Sequence, residues 1–302
     1  MKSHTFSIIS ALVATVSAHG IVHNISIADV MYSGYIPQSD EYQNPPPDRI
    51  MRPIHSSGPV EDIEISDIQC GGYAKGGMVG SRPANLTAGP VGAGEIVKMF
   101  WDLWPDSHVG PAMAYMARCA NDDCKTFMPG TDAVWFKIKE AGREGTSNIW
   151  TDVTPLTKPG GVYEYTIPPC LQAGAYLVRH EIIALFGAEK YPGAQFYPSC
   201  HQIQVTGGGS STGPAEKVSF PGAYKPTDPG VVFKQPDGIP REYTIPGPPV
   251  FSCDGTSTEA QPAAKPATTP AATPATTPAT KPATKPVTKP VTNATEDDSC
   301  DA

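Results

Sequence analysis

The pattern of apolar and polar residues in the middle of the chain is that of β-strands. Three runs alternate with a period of two, and their apolar positions are Val97, Met99, Trp101 and Leu103; Val134, Phe136 and Ile138; and Tyr163, Tyr165 and Ile167. Such alternation predicts strands that bury one face. Glycine and proline separate nearly all of these runs, and no long stripe with a helical period is evident. The pattern therefore predicts an all-β fold, a β-sandwich with long loops.

The start of the chain has the pattern of a secretory signal. A short polar beginning is followed by an apolar run from 6 to 16, and small residues lie at the end, in Val16-Ser17-Ala18. The run is too short to cross a bilayer, and no later stretch approaches the required length of about 20 apolar residues. We therefore expect residues 1–18 to be a signal peptide and the mature protein to be secreted and extracellular.

The end of the chain has a different composition from the rest. From about residue 256 to 292 it consists almost wholly of Pro, Ala, Thr and Lys. Such a segment buries too little apolar surface to offset its ordering entropy. We expect residues 254–302 to form a disordered stalk with O-glycosylated threonines and a short acidic tail, beyond one domain over 19–253. Contact of its lysines with an anionic wall polymer is the alternative to a solvated spacer.

The charge of the chain excludes some classes of partner. The formal net charge is -8 and the acidic residues outnumber the basic ones. Nucleic acid and anionic lipid both select for basic patches, and no such cluster occurs outside the tail. We expect a monomer with a neutral partner such as a glycan. The sequons begin at Asn24, Asn85 and Asn293 and are possible glycosylation sites.

Cysteine spacing predicts disulfides without fixing all of them. The chain has 7 cysteines and no Cys-x-x-Cys pair, so in an oxidising compartment most should pair and one should remain. Cys119 and Cys124 are near neighbours and could close a loop. Three pairings are open for the set Cys70, Cys170, Cys200 and Cys253. Cys300, in the tail, is our candidate for the unpaired thiol.

His19 becomes the first residue of the mature chain if cleavage follows Ala18. Its free α-amino group and its imidazole ring could then chelate one metal ion, which an internal histidine cannot do. A second ligand candidate is His108, in a loop that follows the run ending near Leu103. A loop histidine of this kind is by itself more often a surface or capping residue.

Two further candidates precede the strand predicted at 201–205. In an extended chain, Gln195 and Tyr197 lie on the same side. Beside a metal they would supply a hydrogen-bonding group and a weak oxygen ligand. The alternative is a buried tyrosine whose hydroxyl meets a backbone carbonyl. His180-Glu181 begins like a zinc-protease motif, but the position that should be histidine is Ala184.

In order along the chain, several motifs resemble those of fungal lytic polysaccharide monooxygenases of auxiliary activity family nine, formerly glycoside hydrolase family sixty-one. The motifs are His19-Gly20, Ser107-His108-Val109-Gly110-Pro111 with Tyr115 and Cys119, Arg179-His180-Glu181-Ile182-Ile183-Ala184-Leu185, Gln195-Phe196-Tyr197-Pro198-Ser199-Cys200, and Phe220-Pro221-Gly222-Ala223-Tyr224 with Asp228-Pro229-Gly230. The resemblance extends from His19 to about Cys253, and the number of ordered motifs makes it specific.

This resemblance implies an immunoglobulin- or fibronectin-III-like sandwich and a copper enzyme. The matching residues would be His19 and His108 as a histidine brace, Tyr197 as the axial group and Gln195 beside it. The implied reaction is oxidative cleavage of cellulose or related β-1,4-glucans at C1 and/or C4, with O2 or H2O2 and an external electron donor. Two imidazoles and one amine favour Cu(II) over hard cations.

The resemblance also implies a substrate-stacking role and disulfides. Tyr224 corresponds to an aromatic that stacks on sugar rings, and Tyr35 and Tyr42 in the early loop are further candidates or merely pack the loop. The implied disulfides are Cys70–Cys200 and Cys119–Cys124, and elimination then leaves Cys170–Cys253.

One position departs from the family pattern. Phe186 stands where a histidine usually donates a hydrogen bond to bound oxygen, and phenylalanine has no donor. Residues that support metal ligands commonly change activity about 10-fold to 100-fold. Besides the oxidative enzyme, a second hypothesis is therefore a copper-binding cell-wall protein with weak or no oxidative activity. A third hypothesis is a non-catalytic glycan-binding protein of the cell wall, for which the stalk is the main argument.

Overall fold

The protein folds as two packed β-sheets. A computed structural model describes residues 19–234 and 242–254. The strands are β1 (Val22–Ile27), β2 (Val30–Ser33), β3 (Ala88–Gly92), β4 (Ile96–Trp101), β5 (Ala112–Arg118), β6 (Phe136–Ala141), β7 (Val162–Thr166), β8 (Gly174–Ala184) and β9 (Gln195–Thr206). The four-stranded sheet has the order β2-β1-β4-β7, and the five-stranded sheet has the order β3-β9-β8-β5-β6. The predicted all-β sandwich with long loops is confirmed.

Helical structure in the described ranges is confined to single turns. The α-helices are α1 (Pro37–Asp40) and α2 (Asp67–Cys70), and the 3-10 turns are Ala74–Gly76, Ala120–Asp122 and Thr154–Thr157. No helix in the part of the chain described by the structure is long and apolar enough to cross a membrane. The predicted signal peptide, almost all of the predicted stalk, Asn293 and Cys300 lie outside the described residues.

The predicted strand runs match the structure where alternation was clearest. β4 and β7 pair antiparallel, with Val97 opposite Tyr165 and Met99 opposite Tyr163. All four of these side chains are buried between the sheets. Leu103 lies beyond the end of β4 and is 57% exposed, because the chain leaves the sheet after Trp101.

The five-stranded sheet is buried on both faces. All eleven residues of β8 are buried, since one face packs against the other sheet and the opposite face is covered by a second apolar cluster. This second cluster explains why Lys137, a polar position in the alternation, is buried. Its ammonium group donates to Glu140 Oε2 (2.7 Å) and to the Pro246 carbonyl oxygen (2.9 Å), which satisfies the buried charge.

A buried ion pair organises this outer face of β8. The Arg179 guanidinium pairs with Glu181 and donates to the carbonyl oxygens of Gln69 (2.9 Å) and Ile68 (2.8 Å). Neither charged side chain is accessible to solvent. Because an unpaired charge at this depth is costly, the pair fixes the segment around α2 against the sheet.

Three disulfides tie loops to this framework. Cys70 is bonded to Cys200, Cys119 to Cys124, and Cys170 to Cys253. These are the pairs that the family resemblance and elimination imply. The first joins α2 to β9, the strand that also carries Gln195 and Tyr197.

Candidate metal centre

His19 and His108 lie side by side at one edge of the sandwich. Their ring centroids are 5.5 Å apart and their planes are nearly perpendicular, at 86°. Next to His19, the chain enters β1 with the Ile21 N–H donating to Asp102 Oδ2 (3.2 Å) and the Asp102 N–H donating to the Ile21 carbonyl oxygen (3.0 Å). These two hydrogen bonds fix the start of the domain against Asp102, the residue that follows β4.

The loop between β4 and β5 holds His108 by its backbone. The Trp104 indole N–H donates to the His108 carbonyl oxygen (2.7 Å), and the His108 N–H donates to the Pro105 carbonyl oxygen (3.0 Å). The indole of Trp104 is buried and meets the His108 ring edge to face, with centroids 6.0 Å apart. The loop histidine is thus a fixed, nearly buried group and not a surface residue.

The electrostatics of His108 favour the neutral imidazole. Burial, and secondarily the nearby charge of His19, lower the pKa of His108. Its Nδ1 lies 3.0 Å from the Ser107 hydroxyl oxygen, which leaves Nε2 for another partner. Metals bind the neutral ring, so both effects suit a metal ligand.

Tyr197 lies against both histidines. Its ring centroid is 6.0 Å from that of His19 and 6.3 Å from that of His108. The phenol donates to Gln195 Oε1 (2.9 Å), so β9 presents both side chains on one side, as its period requires. Burial, with a smaller contribution from Glu61, raises the pKa of Tyr197, and the phenol therefore stays protonated.

The donor set fits one metal ion only if the amino group of residue 19 takes part. Metal–imidazole bonds of about 2 Å allow two rings on one ion to have centroids about 6 Å apart, and the two histidines satisfy this distance. Among the described residues, no group of three or more His, Cys, Asp or Glu side chains could hold a metal. A chelating N-terminal amine would complete a nitrogen-rich site that suits copper.

Phe186 lies directly beside His108. Its ring is nearly parallel to that of His108, at 16°, with centroids 6.0 Å apart, and 61% of the residue is exposed. The neighbouring Leu185 N–H donates to the Val109 carbonyl oxygen (2.9 Å), which joins the end of β8 to the His108 loop. The departure from the family pattern therefore falls at the site itself.

The other histidines of the two motifs are elsewhere. His180 and His201 are 1% and 0% exposed and face the space between the sheets. Their ring centroids are 6.1 Å apart. Neither takes the place of the missing histidine, as alternation along β8 and β9 predicts.

Two of the three predicted stacking tyrosines are corrected by the structure. Tyr224 is only 4% exposed, because its ring packs on Phe196 and Phe220 while its hydroxyl donates to Glu181 Oε2 (2.7 Å). Tyr35 is 8% exposed and belongs to the core. Neither ring offers a face to a polymer, whereas Tyr42 is 79% exposed and remains a candidate.

The structure also locates two predicted glycosylation sites. Asn85 is exposed, although its amide donates to Asp48 Oδ1 (2.9 Å). Asn24 is half-buried inside β1, between β2 and β4.

The part of the site that sequence reasoning missed is Trp104, which supports His108 and packs on Tyr197 with ring centroids 4.9 Å apart. Its position four residues before His108, in the same loop, was the available signal.

Comparison with known families gives one match over most of the chain. The model of Auxiliary Activity family 9 (formerly GH61) matches residues 19–243. Those bounds begin at the first candidate ligand and include every residue of the candidate site.

Comparison with individual proteins agrees with this match. The chain is 57% identical over 253 residues to AA9 family lytic polysaccharide monooxygenase F of Botryotinia fuckeliana, which covers 84% of this chain and 100% of that protein. It is 48% identical to AA9 family lytic polysaccharide monooxygenase B of Malbranchea cinnamomea, over 83% of this chain and 99% of that protein.

Solved structures share the fold. The extended catalytic domain of H. jecorina LPMO9A superposes with a TM-score of 0.67 and 32% identity, covering 80% of this chain and 94% of that one. A structure described as a cellulose-active polysaccharide monooxygenase from M. thermophila gives a TM-score of 0.66 and 33% identity, covering 78% and 99%.

Proposed function

Because this chain belongs to Auxiliary Activity family 9, and is thus a copper-dependent lytic polysaccharide monooxygenase, we propose that it is secreted and cleaves cellulose or related β-1,4-glucans. Membership of this family implies oxidative cleavage of polysaccharides in general. The choice of cellulose or a related glucan rests on the cellulose-active relative of similar fold. In this proposal, removal of residues 1–18 leaves a catalytic domain over 19–253, and 254–302 serves as a spacer.

His19 and His108 would hold the copper ion, and the phenol oxygen of Tyr197 would be a further, weak ligand. The observation that carries the assignment is the perpendicular pair of imidazoles 5.5 Å apart, with the Tyr197 ring against both. His19 would contribute its amino group and ring, and His108 its Nε2. When bound, copper supplies the redox chemistry with O2 or H2O2, and the protein supplies the geometry.

The remaining residues of the site act by position. Trp104 holds the His108 backbone, and the protonated Tyr197 phenol is held by Gln195. Gln195 therefore has its amide group beside the phenol oxygen of Tyr197.

The exposed side chains of Phe186 and Leu103 give the site an open surface that suits a flat polymer. Insertion of one oxygen atom from O2 or H2O2 into the C–H bond at C1 and/or C4 of the linkage, with the electrons that O2 requires coming from the external donor, would give a hydroxylated sugar. The linkage would then break by elimination. The electron donor is external, and the protein acts as a monomer.

A second function is favoured by Phe186. Its ring occupies the position beside His108 where the family pattern has a hydrogen-bond donor. A protein that keeps the brace without this donor would bind copper in the cell wall with weak or no oxidative activity.

Mass spectrometry of the reaction products tests the proposal. Correctly processed, copper-loaded protein is incubated with ascorbate and with cellulose, xyloglucan or xylan, and His108→Ala serves as the inactive control. We expect oxidised oligosaccharides from the wild type alone, with masses that report C1 or C4 attack. Copper binding without oxidised products would favour the second function, and absence of copper binding would contradict both.

A further inference from the structure

An exposed aromatic ring beside the metal centre is unexplained by the brace. Phe186 leaves 61% of its surface accessible, although water is an unfavourable environment for an apolar side chain of this size. Leu103 is 57% exposed. It lies between Asp102, which accepts from the Ile21 N–H, and Trp104, which donates to the His108 carbonyl oxygen. The segment 102–104, which holds Ile21 and His108 by hydrogen bonds, thus carries one exposed apolar side chain. The segment at Phe186, which is bonded to the His108 loop through Leu185, carries another.

The backbone around Phe186 is held in place by hydrogen bonds. Three backbone N–H groups donate to backbone carbonyl oxygens: that of Leu185 to Val109 (2.9 Å), that of Ala188 to Leu185 (3.1 Å) and that of Phe233 to Ala188 (2.8 Å). Gly187 has a φ of 80°, in the left-handed region that favours glycine. The chain therefore turns sharply after Phe186, and its ring is presented by a fixed turn.

The Phe186 ring lies close to the ring of the proposed ligand His108 and nearly parallel to it. The Phe186 plane is within 16° of the His108 plane, at a centroid distance of 6.0 Å. A β-linked glucan presents the C–H faces of its sugar rings, and such faces lose apolar area to water when they stack on an aromatic ring. A sugar on Phe186 would lie one ring away from the imidazole of His108, which would hold the metal.

We propose that Phe186 is a substrate-contacting residue that stacks on one sugar ring of a β-1,4-glucan and so aligns the neighbouring linkage beside His108. This inference rests on the proposed function. It assigns substrate binding to a position where the family pattern has a hydrogen-bond donor. Loss of that donor alone does not explain why an exposed aromatic ring stands at this position.

Binding by metal-free protein tests the inference separately from turnover. Wild type, Phe186→Ala and Phe186→Trp are compared by retardation in gels containing soluble xyloglucan and by retention on swollen cellulose, without reductant. Met31→Ala is the matched control, because Met31 is 56% exposed and pairs with Ser26 in β1, away from His19. Copper affinity of each variant, measured by calorimetry, checks that the brace is intact.

We expect Phe186→Ala to weaken polymer binding about 3-fold to 10-fold, the range of one aromatic stacking contact. Phe186→Trp should bind at least as tightly as wild type, Met31→Ala should be unchanged, and copper affinity should stay the same in all variants. Unchanged binding by Phe186→Ala overturns the inference, as does equal loss of polymer and copper binding in both Phe186 variants, which would indicate a structural role.

The two proposals fail in different ways. If the wild type releases oxidised sugars while its binding is independent of Phe186, the inference alone is wrong. If the copper-loaded wild type releases none, the proposed oxidative function is wrong, whereas Phe186-dependent binding would still support the stacking contact. A wild type that binds neither polymer overturns the inference.

Discussion

At the scale of single residues, the candidate centre depends on how little freedom its side chains have. His108 is held at its carbonyl by Trp104 and at its Nδ1 by Ser107, while Tyr197 is held by Gln195. A ligand that is already oriented loses little entropy when it binds a metal. The site is therefore sensitive to the identity of each of these residues.

Replacing His108 with alanine should abolish tight copper binding. The variant removes one of the two imidazoles and leaves an amine and one ring, too few donors for the tetragonal nitrogen site that Cu(II) prefers. Calorimetric titration with Cu(II) at neutral pH measures the effect. The comparison variant is Ser107→Ala, which keeps the ring and removes only its contact at Nδ1, so it should weaken copper binding about 10-fold to 100-fold without abolishing it. Tight binding by His108→Ala would contradict the ligand assignment.

Replacing Phe186 with histidine should raise oxidative turnover. The imidazole restores a hydrogen-bond donor next to His108, and such supporting donors change activity about 10-fold to 100-fold. Because the same change removes the proposed stacking surface, kcat should rise while KM for the polymer also rises. Initial rates over a range of soluble substrate separate the two constants. An unchanged kcat would show that the donor is not what limits this enzyme.

At the scale of elements, the long antiparallel pairing of β8 and β9 places two histidines, His180 and His201, in the core. Val178 pairs with His201, and His180 pairs with Ser199. The His201 Nε2 lies 2.7 Å from the Tyr165 hydroxyl oxygen of β7. Burial lowers the pKa of His201 to about 3 and lowers that of His180 well below its ordinary value, so both rings are neutral in the folded protein.

The buried histidines should make stability fall as the pH falls. Below about pH 6.5 the unfolded chain binds a proton at His201 and the folded chain does not, down to a pH of about 3. The contribution of His201 to the free energy of unfolding is therefore largest above pH 6.5. His201 alone should lower it by about 1.4 kcal/mol per pH unit within this window.

Denaturant unfolding at about pH 6, 5 and 4 measures this slope. His201→Gln should reduce the slope by about 1.4 kcal/mol per pH unit, because glutamine does not titrate and still offers Tyr165 an acceptor. Tyr165→Phe is the control: it removes the hydrogen bond and keeps the histidine, so its slope should equal that of wild type. Equal slopes in wild type and His201→Gln would contradict a neutral His201.

At the scale of the whole molecule, disulfides hold together segments that are far apart along the chain. Cys170 and Cys253 are separated by 83 residues, whereas Cys119 and Cys124 are separated by 5. A crosslink reduces the entropy of the unfolded chain more when it closes a longer loop. The last described segment, which packs Phe251 against the inner core, depends on the longer one.

Removing the Cys170–Cys253 disulfide should therefore cost more free energy of unfolding than removing the Cys119–Cys124 disulfide. The Cys170→Ala/Cys253→Ala variant should lose about 4 kcal/mol of unfolding free energy and the Cys119→Ala/Cys124→Ala variant about 2 kcal/mol. Denaturant unfolding of the two double variants beside wild type measures both losses. A larger loss for the Cys119–Cys124 pair, which is buried, would show that packing around the bond outweighs loop length.

The extent of sequence-based prediction follows from which interactions are local. Period-two alternation located β4 and β7, because neighbouring side chains of a strand point to opposite faces. The same rule indicated that Gln195 and Tyr197 share one side. It could not indicate that β8 is covered on both faces, since the covering cluster is built from segments distant in sequence.

By itself, the sequence determined the family, the strand pattern and the candidate ligands, because ordered motifs and side-chain alternation are properties of the chain. Only the tertiary structure decided that Tyr224 and Tyr35 are buried and that Tyr42 and Phe186 are exposed. Burial depends on contacts between remote segments, such as Tyr224 with Glu181, and no local pattern encodes them. Other contacts between remote segments bring His19, His108 and Phe186 together from three separate parts of the chain.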